Sequence, residues 1–157
     1  MSDLKNTVEL SLPMDASFRW SVGSYMERFF AGLGEKKLVG IRCPQCEKVF
    51  VPPRMICEHC FAETQEWVEV GPKAVVVAFT IAHVKVDAKA GGLRDLEEPS
   101  ILALIQPEGA DSAFVHRVRE VRPEDMREGM ALEPVWAVEP AGDLADLLCF
   151  RPAEGGG

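Results

Sequence analysis

The residues best suited to chemistry are four cysteines in two pairs. They read Cys43-Pro-Gln-Cys46 and, ten residues on, Cys57-Glu-His-Cys60. Two thiolates separated by two residues can face one ion, because the turn between them curls around it. Two such turns supply a tetrahedral four-sulfur shell, the arrangement zinc takes when its role is structural. Iron in the same geometry is the rival ion, and disulfides would need an oxidising compartment. A closed shell leaves no coordination position for water, so the metal is expected to shape the fold and not to catalyse. His59, inside the second pair, could replace a cysteine; it is better read as a solvent-facing turn residue. Cys149, in an apolar segment, reads as a small buried hydrophobe rather than a nucleophile.

Other catalytic sets are missing from the sequence. There is no nucleophile elbow, no phosphate-binding glycine loop and no dinucleotide fingerprint. His83 and His116 fall in predicted strands with no adjacent orienting carboxylate or nucleophile. Glu97, Glu98, Glu108 and Asp111 are loop acids of the kind that stay solvated. The single tyrosine, Tyr25, sits on a packing stripe. The formal net charge is −8, which disfavours nucleic-acid binding because phosphate neutralisation dominates that affinity. No apolar run approaches the roughly 20 residues of a membrane span. The first residues carry no signal pattern, so a reducing cytosol is the expected compartment.

The elements that must position the cysteines follow from periodicity. Residues 1–37 read as an arm and a helix capped by Asp15 or Ser17. Val22, Tyr25, Met26, Phe29, Phe30 and Leu33 fall on one helical stripe, and Gly34 is the expected stop. Residues 38–66 hold short strands at Leu38–Arg42, Val49–Pro53 and Thr64–Val70 around the two cysteine turns, the layout of a zinc ribbon. Residues 67–152 switch to strand periodicity, with strands predicted at Lys73–Val86, Ser100–Gln106, Ser112–Val118, Met130–Glu139 and Asp146–Arg151. Gly71-Pro72 predicts a bend, Asp87–Pro99 a loop, Pro107–Asp111 a tight turn, and Arg122–Met126 one helical turn. Residues 153–157 are expected to be disordered. The whole is mainly β: an N-terminal helix, a rubredoxin-like ribbon and a C-terminal five-stranded barrel of the OB type, with an antiparallel sandwich as the alternative.

The segment before the barrel is rich in large apolar side chains. Phe18, Trp20, Tyr25, Met26, Phe29 and Phe30 either fill the seam between helix, ribbon and barrel or form a face for a partner protein.

This order of parts resembles the zinc-ribbon OB-fold proteins once called domain of unknown function 35. The matching residues are Tyr25 and Phe29, Cys43-Pro44-Gln45-Cys46, Pro52-Pro53-Arg54, and Cys57 with Cys60. The barrel adds Val76 to Thr80, Pro99 and Glu128-Gly129-Met130, so the likeness spans about residues 18–150. The resemblance implies a non-catalytic subunit that binds a thiolase-fold enzyme in a hetero-oligomer and helps hold or channel acyl-CoA. Some members pair instead with aldolases or hydratases. Within the family, the likeness is to small subunits of thiolases that finish β-oxidation, that of benzylsuccinate in anaerobic toluene breakdown included. For a coenzyme A thioester, the candidate contacts are Lys36, Lys37, Arg42, Lys48 and Arg54. Two departures stand out. Glu47 and Phe61 occupy places where such ribbons carry glycine, which predicts less regular cysteine turns. The glycine-rich entry to the barrel is reduced to Gly71-Pro72-Lys73. Two further functions compete with the resemblance: a single-strand nucleic-acid module, and a stand-alone enzyme using His83 or His116.

Overall fold

A computed structural model describes residues 21–87 and 91–153. Phe18, Trp20, Asp15 and Ser17, together with the tail from 154 on, lie outside these residues. Helix α1 spans Gly23–Gly34. Its stripe places Phe29 and Leu33 inward at 3 % and 1 % exposure. The chain turns out of α1 at Lys36, not Gly34: Lys36 has φ 60°, and the Lys37 amide donates back to Gly32 O at 2.9 Å. Gly34 has another role. A Cβ there would sit 3.2 Å from the Gly142 Cα, so α1 can lie directly on the loop before the last strand.

The ribbon sheet has three antiparallel strands, β1 (Leu38–Arg42), β2 (Val49–Phe50) and β3 (Glu66–Val70), in the order β2-β1-β3. Gly40 lies at the middle of β1 because the sheet folds tightly over it. A Cβ there would come 2.8 Å from Val51 Cγ2 and 3.0 Å from Val49 Cγ1.

After the ribbon, the expected bend is present, with Gly71 at φ 77°. Five strands then close into a barrel, β4 (Ala74–Val86), β5 (Leu93–Pro107), β6 (Phe114–Val118), β7 (Ala131–Trp136) and β8 (Leu147–Pro152), in the order β4-β5-β6-β8-β7. Closure joins Ala74 to Leu132 and Val75 to Ala131, and a parallel contact joins Val118 to Phe150. A single 3-10 turn, Pro123–Asp125, lies between β6 and β7. This is the predicted OB architecture. The sandwich is excluded by the closed order of strands.

The predicted loop over 87–99 needs correction. β5 begins at Leu93 and pairs with the end of β4 through Val84–Asp95, Lys85–Arg94 and Val86–Leu93. The acids of this stretch stand on solvent-facing strand, where cross-strand pairing overrides their weak strand preference.

Ribbon and barrel share one hydrophobic core. Leu38, Val49, Val51 and Val70 from the ribbon cluster with Val76, Ile101, Ile105, Leu132 and Phe150 from the barrel, and α1 adds Phe29 and Leu33. Burying each large side chain of this kind contributes roughly 2 kcal/mol. The core explains why the ribbon does not sit on the barrel as a loose appendage. Hydrogen bonds reinforce it. The Val49 amide donates to Asp111 Oδ2 at 2.9 Å, and the Asp111 amide donates to Val49 O at 2.8 Å. Val51 N donates to Ser112 Oγ at 2.7 Å, and that hydroxyl donates to Val51 O at 3.0 Å. The turn after β5 is therefore a clasp on β2, and Asp111, exposed as the sequence reading expected, also accepts the Val49 amide.

Candidate metal centre

Each cysteine pair sits on a turn of the same construction. In the first, Cys43 N donates to Lys48 O at 2.9 Å and Glu47 N to Cys43 O at 3.0 Å; in the second, Cys57 N donates to Ala62 O at 2.9 Å and Phe61 N to Cys57 O at 3.0 Å. The amides of Gln45 and His59 point at Cys43 Sγ and Cys57 Sγ, both at 3.4 Å. The two turns match bond for bond, so the expectation of less regular knuckles is corrected. Glu47 and Phe61 adopt the left-handed conformation that glycine would take, at φ 59° and 57°. The backbone geometry is kept and these side chains bear its cost.

The turns face each other and bring their four sulfurs together. All four Sγ atoms lie within 4.8 Å of one another. Cys43 to Cys60 is 3.3 Å, Cys46 to Cys57 is 3.6 Å and Cys57 to Cys60 is 3.4 Å. A cation bound by four thiolates at about 2.3 Å sets its sulfurs about 3.8 Å apart. The three closest sulfur pairs lie within about 0.5 Å of that spacing, and no pair is farther apart than 4.8 Å. The donor set is all sulfur, and no further position is open, which fits a structural zinc held by Cys43, Cys46, Cys57 and Cys60.

The sulfurs differ in acidity in a way that the turns explain. Burial raises the Cys43 thiol, but the amides of Cys46 and Gln45 outweigh it and bring the group down to about 6. Cys57 is lowered likewise: burial opposes it, and the amides of Cys60 and His59 prevail. The second cysteine of each pair goes the other way. Cys60 is pushed up to about 12, first by its contact with Cys43 and then by burial. At Cys46 the Lys48 amide lowers the group, while burial and the Cys43 and Cys57 sulfurs raise it further. Four adjacent thiolates repel one another, so a bound dication must displace the protons that Cys46 and Cys60 keep.

Around the shell, Ile41, Phe50, Cys43 and Cys57 form a small buried cluster of their own, flanked by Tyr25 and Trp67. Thr64 was not singled out by the sequence, yet it is fully buried. Its hydroxyl donates to Arg54 O and its amide donates to Met55 O at 3.0 Å. Its carbonyl accepts the Tyr25 hydroxyl at 3.2 Å. That bond ties α1 to the second cysteine turn. Nothing in the local sequence marks Thr64, since its partners are 9 to 39 residues away.

The remaining sequence-selected residues separate into places. Of the aromatic stripe, Phe29 belongs to the core, while Tyr25, Met26 and Phe30 are half-buried. Phe29 cannot serve as a surface contact, because its ring is enclosed. Tyr25 packs tilted against Trp67 with ring centres 5.6 Å apart, and Arg28 lies over the Trp67 ring at 4.5 Å. The five basic residues do not converge on one spot by any shared contact. Lys36 and Lys37 sit at the turn after α1, where Lys37 pairs with Glu35 at 3.3 Å and Glu69 at 3.7 Å. Arg42 pairs with Glu66 at 3.5 Å, and Arg54 with Glu58. Lys48 donates to His59 Nε2 at 3.1 Å. His59 is exposed and stacks on Phe50, outside the sulfur shell.

His83 is exposed. His116 is lodged among Phe114 and Phe150, and burial, chiefly, lowers its pKa below the usual histidine value. Cys149 is 3 % exposed, and burial pushes its thiol up. Phe79 and Phe114 pack against the core instead of offering flat faces to bases. No helix among the described residues is long and apolar enough to cross a membrane.

Comparisons with known proteins meet this geometry. The family descriptions that match are "ChsH2, rubredoxin-like zinc ribbon domain" over residues 30–65 and "ChsH2, C-terminal OB-fold domain" over residues 67–137. A DUF35 domain-containing scaffold protein of Methanocaldococcus jannaschii is 31 % identical over 125 residues, covering 74 % of this chain and 82 % of that one. A crystal structure of a DUF35-family protein of unknown function from Sulfolobus solfataricus superposes with a TM-score of 0.60 at 25 % identity, over 83 % of this chain and 84 % of the other. A chain of the Ltp2-ChsH2(DUF35) aldolase superposes with a TM-score of 0.62 at 23 % identity, over 85 % and 98 % of the two chains, and supports the fold. With two abutting domain matches, a relative of this coverage and the four-cysteine shell in place, the chain belongs to the DUF35 family of zinc-ribbon OB-fold proteins.

Proposed function

We propose that this chain is a non-catalytic, zinc-bound subunit of an acyl-CoA-processing enzyme, with a thiolase-fold catalytic subunit as its partner. The observation that carries the reading is the sulfur shell. Among the described residues, four thiols are committed to one closed metal site, on a ribbon whose neighbouring strand residues share a core with the barrel. Such a site positions surfaces and leaves chemistry to another protein. Two relatives point the same way. One is described as a scaffold protein, and another is solved as part of an aldolase pairing. Within this reading the partner acts on thioesters, as in the last step of a β-oxidation such as that of benzylsuccinate. Tyr25, Met26 and Phe30, with Phe18 and Trp20, belong to the partner side. Lys36, Lys37, Arg42, Lys48 and Arg54 are the proposed contacts for the phosphates of coenzyme A.

Co-expression with a thiolase-fold enzyme of the same organism tests the proposal. The two proteins should co-elute on size exclusion in low and high salt, with about one zinc per small subunit. Separate elution in both salts contradicts the reading. An aldolase or hydratase that co-elutes in place of a thiolase would keep the subunit role and change the partner. Titration of the complex with coenzyme A, repeated for Lys48→Ala with Arg54→Ala, tests the phosphate contacts. Unchanged affinity removes them.

A further inference from the structure

Helix α1 has two anchors. Phe29 and Leu33 belong to the core that ribbon and barrel share, and Met26 and Phe30 pack against it. Tyr25 reaches the other way. It flanks the small cluster around the sulfurs, its ring lies tilted against Trp67, and its hydroxyl donates to Thr64 O at 3.2 Å. The start of the helix has little else to hold it. Val22 offers no capping side chain and the first turn carries no acidic residue. Among the described residues, the Ser21 hydroxyl is the one side-chain partner for the orphan amides there, on Gly23 N at 3.3 Å. Ser21 to Ser24 are exposed. A helix of 12 residues is marginal in water without tertiary contact, so its first turns depend on Tyr25 and Met26.

The group that Tyr25 grips belongs to the metal site. Thr64 closes the base of the second cysteine turn. Its amide donates to Met55 O at 3.0 Å, and further along the Cys57 amide donates to Ala62 O at 2.9 Å. Ile56 bridges to Glu63 between them. Cys57 and Cys60 sit on the loop that this short ladder closes. An ion shared with Cys43 and Cys46 would therefore pin the loop to the first turn.

We infer that Tyr25 couples the sulfur shell to α1, so that metal occupancy sets the order of the first two turns of the helix. In the metal-loaded chain the second cysteine turn holds the Thr64 carbonyl in place, and the Tyr25 hydroxyl hangs the helix start on it. In the metal-free chain that acceptor is no longer fixed, and the helix frays back to Phe29, where the shared core holds the rest. The coupling runs both ways: removing the hydroxyl weakens the hold on the metal by the factor by which the metal protects the helix. The inference rests on the zinc reading of the shell and on no particular partner.

Hydrogen–deuterium exchange of the full-length chain tests it, zinc-loaded and after chelation below the melting temperature. The amides of residues 27–29 bond to the carbonyls of residues 23–25 and report the first two turns. Tyr25→Phe keeps the ring and removes the hydroxyl. In the zinc-loaded protein it should speed exchange at those amides about three- to tenfold and leave the amides of Ile105 and Leu132 unchanged. After chelation the wild type and the variant should converge. No speeding, or the same speeding with and without zinc, overturns the coupling and spares the shell. A chain that binds no zinc overturns both. Should chelation unfold the chain, the rate of zinc transfer to a chromogenic chelator decides. Tyr25→Phe should speed the transfer about three- to tenfold, whereas Met26→Ala, beside it but packed on the shared core, should leave the rate near that of the wild type. Equal rates in the two variants overturn the inference.

Discussion

Glu47 and Phe61 hold the same backbone conformation in the two cysteine turns, and neither side chain is suited to it. The left-handed region costs a non-glycine residue about 1–2 kcal/mol. Replacing it with glycine removes that strain but adds freedom to the unfolded chain, worth about 0.4–1 kcal/mol. Phe61 is 80 % exposed, so little packing is lost with its ring. Glu47→Gly and Phe61→Gly should each raise the melting temperature of the zinc-loaded protein by about 1–4 °C. A lower melting temperature in both would show that these side chains stabilise the turns. Asp146 is a residue of the opposite kind. Its carboxylate accepts the amides of Ala141 at 2.7 Å, Gly142 at 2.6 Å and Asp143 at 3.0 Å. The Ala141 amide chiefly, against the opposing effect of burial, holds the group below the usual carboxylate range. A carboxyl depressed by folding adds stability above its unfolded value of about 3.9. That stability drains away as pH falls from there through the folded value. Asp146→Asn should therefore flatten the acid limb of the stability curve below about pH 4 and lower stability at neutral pH. Parallel curves for the two proteins across pH 2–7 would contradict the assignment.

At the scale of elements, the clasp between the β5–β6 turn and β2 is the contact that joins the ribbon's metal side to the barrel. Ser112 both donates to and accepts from the backbone of Val51, and Val51 is fully buried. Ser112→Ala leaves a buried amide and carbonyl short of partners, which costs about 1–3 kcal/mol. Urea unfolding should show a lower midpoint with the same slope, and Ser112→Thr should restore most of it. An unshifted midpoint in the alanine variant would mean that water replaces the hydroxyl. This contact also marks where sequence reading stops. The cysteine spacing, the helix stripe and the five barrel strands, apart from the start of β5, were legible because each is a local pattern of period 2 or 3.6, or a fixed ligand interval. Asp111 and Ser112 bond to residues about 60 positions upstream, and no local pattern carries that. The start of β5 was missed for a related reason. Gly91, Gly92 and a run of acids look like a loop, and only pairing with Val84–Val86 makes the stretch a strand. Lys36 in the left-handed position after α1, where Gly34 was expected, shows glycine placed for its lack of a side chain beside Gly142 and not for its dihedral freedom.

For the molecule as a whole, the metal shell has its own buried cluster, but the ribbon strand residues beside it lie in the barrel's core, so metal and barrel should unfold as one unit. The sulfur shell fixes the turns that flank β2, and Val49 and Val51 at β2 and just after it lie in the same cluster as Ile105, Leu132 and Phe150. Metal binding contributes folding free energy to sites of this kind, and here that contribution should reach the barrel. Two tryptophans report on the two halves: Trp67 in β3 beside Tyr25, and Trp136 in β7. Cys149, 3 % exposed in β8, gives a chemical probe of barrel opening. Removing zinc with a strong chelator, or introducing Cys46→Ser, should lower the melting temperature by more than about 10 °C, since ligand loss removes stability by mass action. The fluorescence of Trp67 and Trp136, read in variants that each retain only that one of the chain's three tryptophans, should change along one transition, with Cys149 becoming reactive to thiol reagent at the same midpoint. Acidification should act through the same route. Protons compete with the dication for Cys46 and Cys60, so zinc retention should fall as pH is lowered, ahead of the acid unfolding of the zinc-loaded protein. A Trp67 transition that leaves Trp136 and Cys149 unmoved would show two independent modules, and the core between them would then be a contact rather than a coupling.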